Sequence, residues 1–315
     1  MQLALGAMIL LGVVSLVQSK IPQLSIAWLA GVLGLLALNL IAAIISKPQF
    51  RRQASLLIFH VCLLAIVLLS AWGVLTRFQG TIEIVEGAAF DADGIMSAEQ
   101  GPWHKMRLND VVFSQGPVEV KYGPRLVRDQ TKSTLNIFAD GATRPIQIGD
   151  TRSYRSLGYR FVTTSNKGYA VLLTWIDENG TRVSGAVHMP SFPALEWKQQ
   201  NQWQTPPGQV LQLKLMPDSP PLDQAWTMTG AGTNRILEVA HNDRYETLHP
   251  GDTMALEGGT LIYDEMRMWI GYRIDYNIVL PWAFFASVTG ILALAWHFWI
   301  NGPRASGVTA DRGSG

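Results

Sequence analysis

Two histidines stand where an ionisable side chain is costly. His60 lies in the run Leu57-Ile-Phe59-His60-Val-Cys62-Leu63, and His297 lies in Trp296-His297-Phe298-Trp299. Both fall inside stretches without Lys, Arg, Asp or Glu. An ionisable group inside a membrane span is a functional candidate by default. Neutral imidazole is also the usual axial ligand of haem iron. His60 lies six residues into its stretch and His297 about three from the end of another that runs the opposite way. At ~1.5 Å per residue they sit about 9 and 5 Å from the same boundary. They can therefore share one haem between antiparallel helices, or each can meet a ligand from a partner protein. Each also has a plainer reading. His297, flanked by Trp296 and Trp299, fits an interfacial anchor as well as a ligand, because aromatic groups collect at that depth. His60 can be a packed helix residue. Cys62, two residues on, turns away from His60 and reads as a small apolar filler.

The elements that must position these residues are four apolar runs, residues 2–18, 24–46, 54–76 and 277–300. Crossing the bilayer core takes about 20 mostly apolar residues. Three runs reach that length and the first falls slightly short. Buried core helices of a soluble protein are the alternative, but soluble helices of this length carry a polar face. The first run can also be a cleaved signal peptide, although it has no basic residue ahead of its apolar part. Lys47-Pro-Gln-Phe-Arg51-Arg52 joins the second and third runs with three positive charges, and cationic loops stay in the cytoplasm. Both termini are then cytoplasmic, with Arg304 and Arg312 in the tail. The expected fold is a membrane protein of four transmembrane α-helices, three N-terminal and one C-terminal, with a large all-β extracytoplasmic domain. The expected divisions are 1–77 for the first three spans, 78–276 for the outer domain, 277–300 for the last span and 301–315 for a cytoplasmic tail.

The outer domain reads as strands at 81–85, 118–122, 134–138, 159–164, 169–176, 183–188 and 210–215, all rich in β-branched and aromatic residues. Asp140-Gly141 and Asn179-Gly180 sit between such runs, where a hairpin turn needs positive φ. Pro250-Gly251 and Gly258-Gly259 mark further turns. Residues 191–221, rich in Pro and Gln, read as a long loop or a divider between two β-subdomains. The domain holds 18 Lys and Arg against 23 Asp and Glu, and a net charge of −5 argues against a nucleic-acid partner.

Searches for catalytic motifs find none: no G-x-S-x-G, no H-E-x-x-H, no P-loop and no G-x-G-x-x-G after a strand. One cysteine, Cys62, excludes an internal disulfide and a C-x-x-C redox pair. His104, His188, His241 and His249 stand isolated among polar residues and read as surface or loop histidines. His241 and His249 flank one expected strand and can approach each other.

Several segments together resemble the ResB family of cytochrome c biogenesis proteins. Leu57-Ile-Phe-His60 is followed by Gly73-Val-Leu-Thr-Arg-Phe-Gln-Gly80-Thr-Ile-Glu-Ile-Val-Glu86-Gly87, similar to the family's early helix histidine, Gly-containing exit and strand ending in Glu-Gly. Ile21-Pro22-Gln23, Lys132-Ser-Thr-Leu-Asn-Ile-Phe-Ala-Asp140-Gly141, Gly158-Tyr-Arg-Phe-Val-Thr-Thr-Ser165 and Gly271-Tyr-Arg-Ile-Asp275 resemble further family elements in the same order. Two features depart from the pattern. Tyr276-Asn277 stand where the family has Pro-Gly after the Asp, and the outer domain is short.

The resemblance implies a haem role. Members act with a CcsA-type polytopic partner, move haem b across the cytoplasmic (inner) membrane and attach it to apocytochrome c on the periplasmic side. Eleven tryptophans are present but no W-G-x-x-W-x-W-D run, so haem presentation falls to the partner. By the motif, His60 corresponds to the family's transmembrane haem histidine, the metal ligand. His297 has no motif and stands as a cofactor-binding candidate on depth alone. The chain would be at most the non-catalytic half of the attachment complex. Two other classes remain: a haem b electron-transfer subunit with its haem between the third and fourth helices, and a structural anchor carrying a β scaffold.

Overall fold

The computed structural model describes residues 2–20, 27–139, 141–230, 235–242 and 244–301. Ile21-Pro22-Gln23, Asp140, Arg304 and Arg312 lie outside them. The chain divides into two compact units. One holds residues 1–78, 100–105 and 277–315, and the other holds 79–99 and 106–276.

The first unit is helical. Its helices are α1 (Gln2–Lys20), α2 (Ala27–Ser46), α3 (Pro48–Arg52), α4 (Ala54–Thr76) and α5 (Leu280–Asn301). Among the described residues, three segments are long and apolar enough to cross a membrane: Ala27–Ser46, Ala54–Thr76 and Leu280–Ile300. The first apolar run forms a 19-residue helix but does not count among those three. In the most apolar window of α4 only 6% is buried inside the protein. Such a surface needs an apolar surrounding, because leaving it in water forfeits about 25 cal/mol for each Å². α1 lies against α2, α2 against α4, and α4 against α5. A Cβ on Gly290 would meet the Cys62 Cβ at 3.2 Å and Phe59 at 3.9 Å. Small residues there let the α4 and α5 backbones approach closely, and Cys62 is a buried packing residue, as expected. The short α3 was not legible. Pro48 opens it at a position where the missing N–H costs nothing.

The second unit is built of strands. They are β1 (Phe78–Val85), β2 (Ser97–Gln100), β3 (Phe113–Tyr122), β4 (Arg128–Ala139), β5 (Ala142–Gly149), β6 (Tyr154–Ser156), β7 (Tyr159–Asp177), β8 (Arg182–His188), β9 (Gln200–Gln204), β10 (Val210–Pro217), β11 (Trp226–Met228), β12 (Arg235–His241), β13 (Arg244–Leu248), β14 (Thr253–Leu256) and β15 (Gly259–Tyr276). Three sheets result. A seven-stranded sheet runs β2-β1-β15-β7-β6, with β14 also on β15 and β8 also on β7. The others run β13-β12-β10-β9 and β11-β3-β4-β5.

The spine is the antiparallel pair β7–β15, which pairs Gly259 with Asp177 at one end and Tyr276 with Tyr159 at the other. Two register shifts, at Tyr263/Glu265 and Ile270/Tyr272, let so long a ribbon bend. The two strands expected at 159–164 and 169–176 are thus one. Trp175, Tyr159, Phe161, Tyr263, Tyr272 and Ile274 are almost wholly buried along it. Gly180, at φ +81°, makes the β7–β8 turn where the Asn-Gly pair suggested it. The strand expected at 210–215 is β10, and the stretch 191–221, expected as a long loop or a divider, also contains β9. Gln200–Gln204 lacks the β-branched residues that signal a strand and pairs anyway, because Val210–Gln204 and its neighbours offer a ladder.

A buried polar knot joins β3, β4 and β15. The Tyr272 hydroxyl donates to Gln115 Oε1 at 2.6 Å and lies 2.6 Å from Ser133 Oγ. Gln115 Nε2 donates to the same Ser133 Oγ at 2.8 Å. Burial pushes the Tyr272 phenol up, with the Ser133 and Gln115 hydrogen bonds pulling the other way.

Candidate functional site

His60 sits in the second turn of α4, half-buried. Its Nδ1 is 2.7 Å from the Leu56 carbonyl oxygen, four residues back. A carbonyl oxygen only accepts, so Nδ1 carries the proton and Nε2 keeps its lone pair. Nε2 has no hydrogen-bond partner among the described residues. Two rings hold the imidazole. Phe50 of α3 lies against it at 4.1 Å between centroids, tilted by 31°, and Phe59 meets it edge-on at 5.4 Å. The basic segment therefore contributes an aromatic cover for the helix histidine, which no local pattern suggested.

The arrangement fits a histidine that would hold a haem iron through Nε2. A ligating histidine donates its second ring nitrogen to a carbonyl or carboxylate, which fixes the tautomer and turns the lone pair outward.

His297 lies in the last turns of α5, with Nδ1 3.3 Å from Ser55 Oγ. Ser55 is in the first turn of α4 and buried. His297 is thus level with Ser55, about 7.5 Å along the α4 axis from His60 and roughly 140° around it. Gly290 and Cys62 belong to the same α4–α5 seam as Ser55. The two histidines address different faces of α4. Trp296 and Trp299 beside His297 are exposed.

The β unit holds a histidine that reads from the sequence only as an isolated surface or loop residue. His188, at the end of β8, places Nδ1 3.0 Å from Glu83 Oε2 on β1. Glu83 Oε1 accepts from Asn166 Nδ2 at 2.6 Å, and Asn166 Oδ1 accepts from Ser191 Oγ at 2.8 Å. The imidazole also stacks on Trp269, at 5.6 Å and 9° between planes. Trp269 in turn donates Nε1–H to the Met189 carbonyl at 3.0 Å. Its indole occupies the space where a Cβ on Gly168 would stand. Alternation placed His188 and Glu83 on strands, but nothing in the sequence signals a pairing across 105 residues.

His241 and His249 lie just beyond opposite ends of β13, whose five residues span about 17 Å, and they do not meet. His249 sits 3.4 Å from Asp252 instead. The Glu86-Gly87 pair is a structural bracket. Glu86 accepts from Val118 N at 2.6 Å and from Met268 N at 3.1 Å. Arg267 Nη1 donates to its carbonyl at 2.8 Å. Burial raises the Glu86 carboxyl above the usual range, while the Val118 and Met268 amides and Arg267 hold it down. Among the described residues no group of three or more His, Cys, Asp and Glu gathers for a metal ion.

Comparison with known protein families and with curated proteins finds no match for this chain.

Proposed function

We propose that the chain is the ResB-like component of a membrane complex that moves haem across the cytoplasmic membrane and attaches it to apocytochrome c, acting with a CcsA-type polytopic partner. The observation that carries this reading is His60. It lies in a 23-residue apolar helix, with Nδ1–H given to the Leu56 carbonyl and the Nε2 lone pair unengaged among the described residues. The resemblance of its surroundings and of Glu86-Gly87 to the family supports the same role. In this reading α1, α2, α4 and α5 span the bilayer, the segment Lys47–Arg52 and both termini are cytoplasmic, and the β unit is periplasmic. Haem, when bound, supplies the iron that gives the His60 lone pair its partner. Phe50 and Phe59 keep the imidazole from turning away. A CcsA-type partner would supply any further ligand to the iron.

The electron-transfer alternative, with one haem b held by His60 and His297, needs both rings on one face. The Ser55 contact of His297 and the separation of about 140° around α4 weigh against it. His297 fits the interfacial anchor better.

The test is an absorption spectrum of the protein purified alone and with a co-expressed CcsA-like subunit. A Soret band that appears or strengthens with the partner supports the proposal. No haem in either preparation points to the structural anchor, and a bis-histidine spectrum from the isolated chain points to the electron-transfer subunit. Sidedness is tested separately. With Cys62→Ala as background, a cysteine at Asn179 should react with an impermeant thiol reagent in intact cells and one at Gln49 should not. The reverse pattern inverts the topology and removes haem export from consideration.

A further inference from the structure

One piece of the chain sits outside the unit its neighbours belong to. Residues 100–105, which follow β2, group with the helices, while 79–99 and 106–276 form the β unit. The segment docks on the end of α4 through the backbone. Gly101 N–H donates to the Arg77 carbonyl at 2.8 Å, and Trp103 N–H to the Leu75 carbonyl at 2.9 Å. His104 Nδ1–H donates to the Thr76 carbonyl at 2.9 Å. Arg77 N–H closes on Gly73 O, and the Thr76 hydroxyl on Trp72 O. The Gly73, Leu75 and Thr76 carbonyls, among those at the end of α4 that the helix itself leaves open, are thus satisfied. The approach is so close that a Cβ on Gly101 would fall 2.3 Å from the Leu75 oxygen.

This docking brings Trp103 against Trp72, edge to face at 5.8 Å. Trp72 is in the last turn of α4 and Trp282 in the first turn of α5, so both mark the same end of the helical unit. All three indoles are largely uncovered, at 48%, 58% and 66% exposure for Trp72, Trp103 and Trp282. Exposed tryptophans at one level of apolar helices match the headgroup region of a bilayer, where an indole buries its ring and keeps its N–H wet. Lys105, exposed at the end of the segment, can meet lipid phosphates at that level.

We propose that the segment Gln100–Lys105 is a membrane-interface strap, whose Trp103 completes with Trp72 and Trp282 an aromatic collar in the headgroup layer of the non-cytoplasmic leaflet. The proposal rests on the membrane-spanning reading of α4. Its occupant is lipid, because the collar continues the helix surface that already requires an apolar surrounding.

The test uses the full chain in vesicles of phosphatidylcholine and phosphatidylglycerol, with Cys62→Ala as background. Nitroxide labels are placed at Trp103→Cys, at Leu68→Cys in the middle of α4, and at Glu178→Cys on the β7–β8 turn. Relaxation by oxygen and by a water-soluble nickel chelate reports depth. The strap predicts a Trp103 label between the other two, with oxygen accessibility well above that at 178. A Trp103 label as nickel-accessible as the 178 label overturns the proposal while the Leu68 label keeps the spanning reading alive. A Leu68 label without oxygen preference refutes the spanning reading instead. A Trp103 label shielded from both reagents means that protein, and not lipid, covers it, and also overturns the proposal. Because the cysteine can loosen the strap, quenching of native fluorescence by brominated lipid is compared for wild type and Trp103→Phe. A smaller quenched fraction in Trp103→Phe is expected; an unchanged fraction contradicts the collar.

Discussion

His60 and His188 are held by the same ring atom and to opposite ends. In the helical unit, His60 gives Nδ1–H to a carbonyl four residues back, and two phenyl rings position it. In the β unit, His188 gives Nδ1–H to Glu83, which is itself held by Asn166, while the imidazole lies on a buried indole. The first arrangement is local and costs the fold little to lose. The second ties β8 to β1 and β15 and is part of what keeps the sheet together. A histidine that the fold can spare, in surroundings where imidazole is costly, is the one to suspect of binding something. One that the fold uses is explained by that use.

The strongest way to break this contrast is through Trp269. Trp269→Ala should destabilise the β unit by about 3–5 kcal/mol, as for other large core truncations, and leave the helical unit's Soret band per folded protein unchanged. Denaturant unfolding followed by far-ultraviolet circular dichroism measures the first, absorption the second. A cost under about 1 kcal/mol would mean the stack is incidental.

His188→Ala comes next. It leaves the half-buried Glu83 carboxyl with the Asn166 hydrogen bond only, and losing one partner of such an acceptor costs about 1–3 kcal/mol. His60→Ala should change stability by much less, since Ala is a good helix former. Equal unfolding midpoints for the two variants would remove the distinction between a structural and a binding histidine.

A third prediction uses pH. Burial, reinforced by Arg128 and opposed by Asp150, lowers Lys167 to about 8, against 10.5 for the free side chain. The unfolded chain therefore holds more protons between those values, and stability rises with pH across that window. Burial holds Tyr122 up at about 12, so that phenol works the other way only in more alkaline solution. Thermal midpoints of the β unit should increase from about pH 8 to 9.5, and Lys167→Met should flatten the slope. A wild-type midpoint that falls across this range contradicts the assignment.

The smallest effect is expected at Phe50. Phe50→Ala removes one ring contact worth about 0.5–1.5 kcal/mol. It should weaken haem retention without abolishing it, measured as the Soret to 280 nm ratio after washing. Retention equal to wild type would make the aromatic cover of His60 unimportant.

What the sequence disclosed follows the range of the interactions. The helix ends at Ser46, Ala54 and Thr76 coincide with the limits of the apolar runs, because hydropathy is summed along the chain. Strand existence at 183–188 and the turn at Gly180 were legible for the same reason: alternation and positive φ are local. β9 was not, since Gln-Asn-Gln-Trp-Gln pairs only because β10 lies beside it. β5, with Pro145 in its middle, reads against a strand, yet it is an edge, where a missing N–H is tolerated. At the candidate site, His60 could be read as an ionisable residue in an apolar run, but Phe50 could not, because its contact runs through a separate five-residue helix. His297 reads from the sequence as close to the end of the last apolar run, and α5 carries it four residues from its end at Asn301. The face it occupies came only with Ser55, 242 positions away.

The central claim is that His60 is an iron ligand and not a packed helix residue. The most direct measurement is the absorption spectrum of the His60→Ala protein, purified with its CcsA-like partner, before and after adding imidazole. The account predicts that the variant inserts normally, loses most of its Soret absorbance, regains part of it with imidazole filling the vacated axial position, and fails to mature cytochrome c without it. A variant with the haem content, spectrum and cytochrome c maturation of wild type would contradict that claim.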